Sequence, residues 1–303
     1  MQYQPLPKRP YWHTQQHTVL VVGITIAITG LAAFVGWGYA HIFGIIIGIA
    51  SALIIQSTVW AAINRIPLWL CRPYDVRPCE RPEVFHIIHN LAHHTSIPIP
   101  RVYELHTAAP NSFTFGSSPN NSIIVITSGL VQWLSNEELT GVIAHEMAHI
   151  KYRNTVFSGL GIMFSAVILG PLYFHSKRCL GWTTPHIGLN NSLRAFNQHI
   201  SSTAARTTRL WMSHGCELHA DAFGATVLTS PLPLISALEK IEWATQHIDF
   251  EIHPTIAPLF VVEPRNDARG IHLTERITHL RRLSRLSTSH AILQRDITPA
   301  QHP

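Results

Sequence analysis

Residues 135–152 read SNEELTGVIAHEMAHIKY. Ser135 and Glu138 stand in S-x-x-E spacing, a capping box that opens a helix, predicted here through Glu137–Tyr152. Inside that helix lies His145-Glu146-Met147-Ala148-His149. Residues four apart share a helical face, so both imidazoles can address one metal ion. Glu146 can reach a water held at that ion but not the ion itself. Zinc brings the pKa of such a water to roughly 7, and a neighbouring carboxylate can take its proton during attack on a carbonyl. At this chain's own His and Glu frequencies, H-E-x-x-H arises by chance on the order of once in twenty-five such sequences. The surroundings must therefore decide.

They supply a second motif. Further along, in MSHGCELHADAFGATVL, Glu217 and Asp221 are again four apart and share a helical face. A catalytic zinc commonly takes three protein ligands and leaves a fourth position to water. Glu217 supplies the third ligand, and Asp221 can hydrogen-bond a ligating His to fix its tautomer. A lone E-x-x-x-D pair is usually a solvated acidic face. Here its Ala-rich, Gly-containing surroundings suit burial against another helix.

Upstream of the HExxH helix, three β-rich runs, 101–106, 112–116 and 122–127, predict a small sheet of about three strands. Residues 83–94 have the apolar spacing of an amphipathic helix that ends before Pro98. Earlier still, 18–40 and 42–63 carry no charged residue, and each is long enough to cross a bilayer. His41 alone separates them, which predicts a tight transmembrane hairpin. Lys8 and Arg9 precede it and Arg65, Arg72 and Arg77 follow, placing both ends on the cytoplasmic side. Ala40, Gly44, Gly48 and Ala52 form a small-residue ladder that lets two helices approach closely. A third charge-free run, 155–174, is followed by a stretch containing Arg194, Arg206 and Arg209. Returning those arginines through a bilayer is costly, so 155–174 is read as dipping into or lying on the membrane, with a buried core helix as the alternative.

The composition agrees. Of 303 residues, 13% are charged and 46% apolar, a membrane-protein balance. The formal net charge of +5 suits an anionic membrane surface. Nucleic acid is not an expected partner, because the arginines are scattered and form no basic, aromatic-interleaved patch. Cys71, Cys79, Cys179 and Cys216 form no CxxC pair and read as ordinary thiols in a reducing compartment.

The stretch PNSFTFG…SIIVITSGLVQWLSNEELTGVIAHEMAHIKYRN, followed by ELHADAFGA, resembles the HtpX and CAAX-prenyl-endopeptidase family of membrane zinc peptidases, over roughly residues 83–230. The resemblance implies one zinc per chain held by His145, His149 and Glu217, with Glu146 as catalytic base. It also implies that Asn111 and the strand after it, with Phe113, border a cleft where an extended substrate pairs with the strand edge. For Asn111 a plain turn role after Pro110 is the competing reading. There are departures. Asn154 stands where members usually carry Asp, and an Arg often found shortly before the third ligand is replaced in Ser213-His214-Gly215-Cys216. The usual His-Pro segment is degraded in IHLTERITHL, which leaves His272 as a candidate oxyanion stabiliser, with a plain surface histidine as the competing reading.

The expected architecture is α+β and mainly α, a zincin-like catalytic domain with a small sheet on an N-terminal transmembrane hairpin. Its layout is a cytoplasmic tail at 1–17, the hairpin at 18–64, a linker at 65–82, the metallopeptidase domain at 83–283 and a disordered tail at 284–303. The expected partners are protein or peptide substrates and the lipid bilayer, in a multi-pass protein of the cell membrane with its active site on the cytoplasmic side. The alternative is a catalytically weak or silent zinc-binding scaffold.

Overall fold

The computed structural model describes residues 12–182, 187–210, 214–228, 230–264 and 273–285. The first helical element, α1 (Trp12–Cys71), is two helices joined by a reversal at Ala40 and His41, where His41 has φ 49°. The reversal returns the second helix against the first. A Cβ placed on Gly44 would lie 1.8 Å from the carbonyl oxygen of Gly36, and one on Gly48 would lie 2.2 Å from that of Ala32. Only glycine permits such contact, so Gly44 and Gly48 of the ladder serve packing, while Ala40 falls in the turn. Gln56 Nε2 donates to Thr29 Oγ1 across the pair at 3.1 Å. The outward faces carry large exposed apolar side chains, among them Phe34, Ile47 and Ile54.

Two expected boundaries shift. The helix begins at Trp12, inside the expected tail, and runs on to Cys71, through Pro67 and inside the expected linker. The second shift has a packing cause. Leu68, Leu70 and Cys71 lie against the apolar cluster on the outer face of the sheet, and that burial outweighs the local cost of the proline. Of the expected disordered tail, 284–285 are helical and 286–303 lie outside the described residues.

The sheet has four strands in the order β1-β2-β4-β3: β1 (Tyr74–Asp75), β2 (Arg101–Leu105), β3 (Ser112–Gly116) and β4 (Ser122–Thr127). The β2–β4 pair is parallel and the other pairs are antiparallel. The two-residue β1 is the strand that sequence patterning does not show. Every residue of β3 and β4 is buried, because the sheet is covered on both faces. Val102, Ile124 and Ile126 face the main core with α2 (Pro82–Thr95) and α4 (Asn136–Lys151). Phe113, Phe115, Ile123 and Val125 face a second cluster with Ile162 and Phe260.

Between sheet and α4 lies the short α3 (Ser128–Trp133). The predicted capping box opens α4: Ser135 Oγ accepts from the Glu138 N–H, and the Glu138 carboxylate accepts from the Ser135 N–H. The same carboxylate accepts from Ser236 and Lys240 on α8 (Leu232–His247) at 2.6 and 2.7 Å. After α4 come α5 (Asn154–Trp182) and α6 (Ile187–Leu210), which pack on each other, then α7 (His214–Val227). A final helix, α9, occupies 273–285. The described chain is thus mainly helical, with one small mixed sheet and an N-terminal apolar hairpin.

Candidate metal centre

Two helices carry the site, α4 and α7, and a glycine contact lets them come together. A Cβ on Gly224 would sit 3.2 Å from the Gly141 carbonyl oxygen and 3.6 Å from the His145 nitrogen. The close approach brings Glu217 of α7 to His145 and His149 of α4. The two Nε2 atoms are 3.2 Å apart, and the Glu217 carboxylate turns one oxygen to each, at 3.5 Å. Donors about 2.0–2.1 Å from a tetrahedral centre lie about 3.3–3.4 Å from one another, so these separations suit a single ion such as zinc. The expected trio is therefore brought together in space, within 4.8 Å.

The surrounding groups fit a cation as well. Asp221, fully buried, approaches His145 Nδ1 with Oδ1 at 2.9 Å. Arg276 of α9 donates two hydrogen bonds to the Asp221 carboxylate, at 2.7 and 2.8 Å, and a third to the Val261 carbonyl at 2.6 Å. It also lies 3.5 Å from Glu217. One guanidinium faces the buried Asp221 and the partly exposed Glu217 here, and such an excess of negative charge favours a further positive partner. Burial acts against the charged forms of Glu217 and Asp221, but the nearby His and Arg groups outweigh it: Glu217 falls to about 2 and Asp221 well below its usual range. For His145 burial is likewise outweighed, by Asp221 and Glu217, and its pKa rises to about 9. His149, where burial prevails, falls to about 4.

Glu146 is buried beside this cluster and held by the sheet. Ser112 Oγ donates to Glu146 Oε1 at 2.7 Å, and Thr114 Oγ1 donates to Oε2 at 2.5 Å. Both hydroxyls come from β3, two residues apart and so on one face of the strand. Burial raises the Glu146 pKa overall, although both hydroxyls and His145 pull it down. Such a carboxylate is oriented, short of water and poised to accept a proton.

Sequence reasoning missed Ser112, Thr114 and Arg276. Alternation along SFTFG separates Ser112 and Thr114 from the phenylalanines, which was the one signal for them. For Arg276 only the Arg-Ile-x-x-Leu spacing in the degraded terminal segment pointed to a role.

The expected cleft residues need correction. Phe113 is fully buried, its ring 5.8 Å from Phe115 and 4.7 Å from Phe260, so it belongs to the core. Asn111 is buried too: its Nδ2 donates to the Val262 carbonyl at 2.7 Å, and its Oδ1 accepts from the Ser112 and Val262 N–H groups. With Val261 N–H donating to the Ser112 carbonyl at 2.9 Å, this end of the β3 edge is taken by the chain's own 261–262 segment. His272 lies outside the described residues. Asn154, which stands where family members usually carry Asp, lies beside the cluster. Its amide lies 3.2 Å from His149 Nδ1, with Cys216 Sγ on its other side at 3.5 Å.

Paired imidazoles, a facing carboxylate and a second carboxylate held beside them form a cluster that could hold a metal ion, the kind of site a metal-dependent hydrolase carries. Comparison with known proteins makes this specific: the chain belongs to peptidase family M48, a family of metalloproteases, whose model matches residues 78–290. It is similar to the "Protease HtpX homolog" of Thermodesulfovibrio yellowstonii, 29% identical over 83% of this chain and 89% of that protein. The corresponding protein of Persephonella marina is 31% identical over 82% and 88%. "Protease HtpX" of Legionella pneumophila is 28% identical over 84% and 95%. Among solved structures, S. mikatae Ste24p aligns with a TM-score of 0.42 at 16% identity, covering 88% of this chain and 66% of that one.

Proposed function

We propose that this chain is a membrane-bound, zinc-dependent endopeptidase with a zincin-like catalytic domain, acting on membrane or misfolded proteins. The supporting observation is the convergence of His145, His149 and Glu217 from two helices beside an oriented Glu146. The relatives' names, Protease HtpX and its homologues, support proteolysis as the reaction. The exposed apolar hairpin of α1 supports membrane anchorage, and the flanking arginines support a cytoplasmic active site.

In this reading His145, His149 and Glu217 would hold the ion, which when bound would supply Lewis acidity toward water and the scissile carbonyl. Asp221 fixes the tautomer and orientation of His145, and Arg276 keeps Asp221 ionised and in place. Glu146 accepts a proton from the attacking water, then delivers it to the departing amine. Ser112 and Thr114 hold both Glu146 oxygens while leaving the carboxylate further lone pairs for that water. His149 and Glu217 keep partial exposure, so the centre is open to solvent on their side.

The test compares zinc content and casein or self-cleavage of the purified full chain with those of Glu146→Gln. Zinc retained with cleavage lowered by about 10²–10⁴-fold is the expected result. A parent that holds zinc but never cleaves is a scaffold, and a parent without zinc ends the reading.

A further inference from the structure

The third apolar helix, α5, has two faces that its sequence does not distinguish. Positions 164, 167, 168, 171, 172 and 175 are exposed, a spacing that makes one continuous stripe. Val167, Ile168 and Leu172 are 62%, 52% and 48% exposed. The opposite positions, Ser158, Ile162, Ser165 and Tyr173, are buried.

Helix α5 is tied to the catalytic domain at its start and again about two thirds of the way along. At its start Asn154 contacts His149. Further on Tyr173 packs on His253 and Phe174 on both His253 and Trp69, with ring centroids 4.7, 5.5 and 5.6 Å apart. Close contacts with α1 include Ile63, where a Cβ on Gly159 would come within 2.5 Å, and Trp69, which meets Phe174, so fifteen residues of α5 pass only six of α1 between them. Both positions lie at or beyond the end of the charge-free run 42–63. Helix α5 therefore does not retrace the second membrane helix. It runs across the side of the domain from which that helix emerges.

The partner helix agrees. Ser165 Oγ donates to the Ala204 carbonyl and accepts from Thr207, so α6 is laid on α5. Arg206 of α6 is exposed and Arg209 pairs with Glu263 in the domain. Carrying this polar helix through hydrocarbon would leave Arg206 in a hydrophobic medium.

We propose that α5 lies along the membrane surface rather than crossing it, with Val167, Ile168 and Leu172 in the boundary between headgroups and acyl chains. The occupant of this face is the bilayer. The stripe continues the apolar surface of α1 through Trp69, which is exposed and in ring contact with Phe174, and tryptophan favours that depth. The proposal rests on reading α1 as membrane-inserted, and it makes α5 the seat on which the catalytic domain meets the lipid.

A nitroxide attached through a genetically encoded keto amino acid at Phe164, Ile168 or Leu172 of the full chain in phospholipid vesicles tests it, with Ile47 as control. Collision with oxygen and with a water-soluble nickel chelate reports depth. The expected result is three oxygen-accessible labels at one shallow depth, against a deep label at Ile47. A steady change of about 12 Å between Phe164 and Leu172, eight helical residues apart, means a spanning helix and overturns the proposal. Three labels open to the nickel chelate overturn it, as do labels closed to both reagents, which means a protein partner or second copy on this face. A label at Ile47 that is not deep overturns the membrane reading of α1 itself, an outcome distinct from the others.

Discussion

At the scale of single residues, the hydroxyls under Glu146 carry the sharpest prediction. Removing one in Ser112→Ala, or replacing the other in Thr114→Val, leaves the base buried but free to turn. We expect turnover to fall by about tenfold per hydroxyl, as expected for a lost charge-assisted hydrogen bond near 1.5 kcal/mol. KM and zinc content should stay near parental values, and Thr114→Ser should restore turnover. A loss of zinc in step with activity would show damage to the ligands instead. Asn154 makes a second case. A ligating His149 carries its proton on Nδ1, whereas Asn154 turns its amide nitrogen, a donor, toward that atom, so the amide must flip to accept and even then accepts less strongly than a carboxylate. Asn154→Asp should therefore tighten zinc binding, by about tenfold in a chelator competition. The residues legible in sequence were those whose spacing is itself the chemistry: His145 and His149 on one turn, and Glu217 and Asp221 on another. Arg276 was not, because its meaning comes from meeting Asp221 across 55 residues. Phe113 was misplaced because a strand buried on both faces does not show which side chain is core.

At the scale of elements, the crossing of α4 and α7 sets the distance between the ligands. Gly224→Val would push a branched side chain toward the Gly141 carbonyl and Leu234, each only 3.2 Å from where its Cβ would stand. The expected outcome is loss of zinc with the far-ultraviolet helical signal kept, because the helices separate without unfolding. A second joint ties the start of α2 to β2: Arg81 donates to Glu104 at 2.7 and 2.6 Å. Burial acts to raise the Glu104 pKa, yet Arg81 outweighs it and the value is lowered. A lowered carboxylate stabilises above its unfolded pKa, near 4.3, and that contribution is lost as pH falls through the folded value. Glu104→Gln should therefore cost about 2–4 kcal/mol at pH 7, reduced for the partial exposure of Arg81, and the gap should close below about pH 4. Thermal unfolding across that range checks both the sign and the window. Capping signals made α4 readable to within a residue, whereas the course of α5 was hidden, since a helix apolar on every side does not announce which side is covered.

Over the whole molecule, the order of parts was legible in sequence: apolar hairpin, sheet, then the two helices of the candidate metal centre. What it could not set was how those parts join, because joints depend on burial between distant segments. The hairpin meets the sheet without a flexible linker: Ile63 is fully buried, Asn64 Nδ2 donates to the Asn121 carbonyl at 2.9 Å, and the helix ends only at Cys71. A domain hung on a slack tether would be indifferent to the thickness of the lipid around its anchor. Here, once the hairpin is in a bilayer, a thinner or thicker one that tilts the helix must turn the peptidase with it. The angle at which the candidate metal centre faces its surroundings would thus be geared to the membrane.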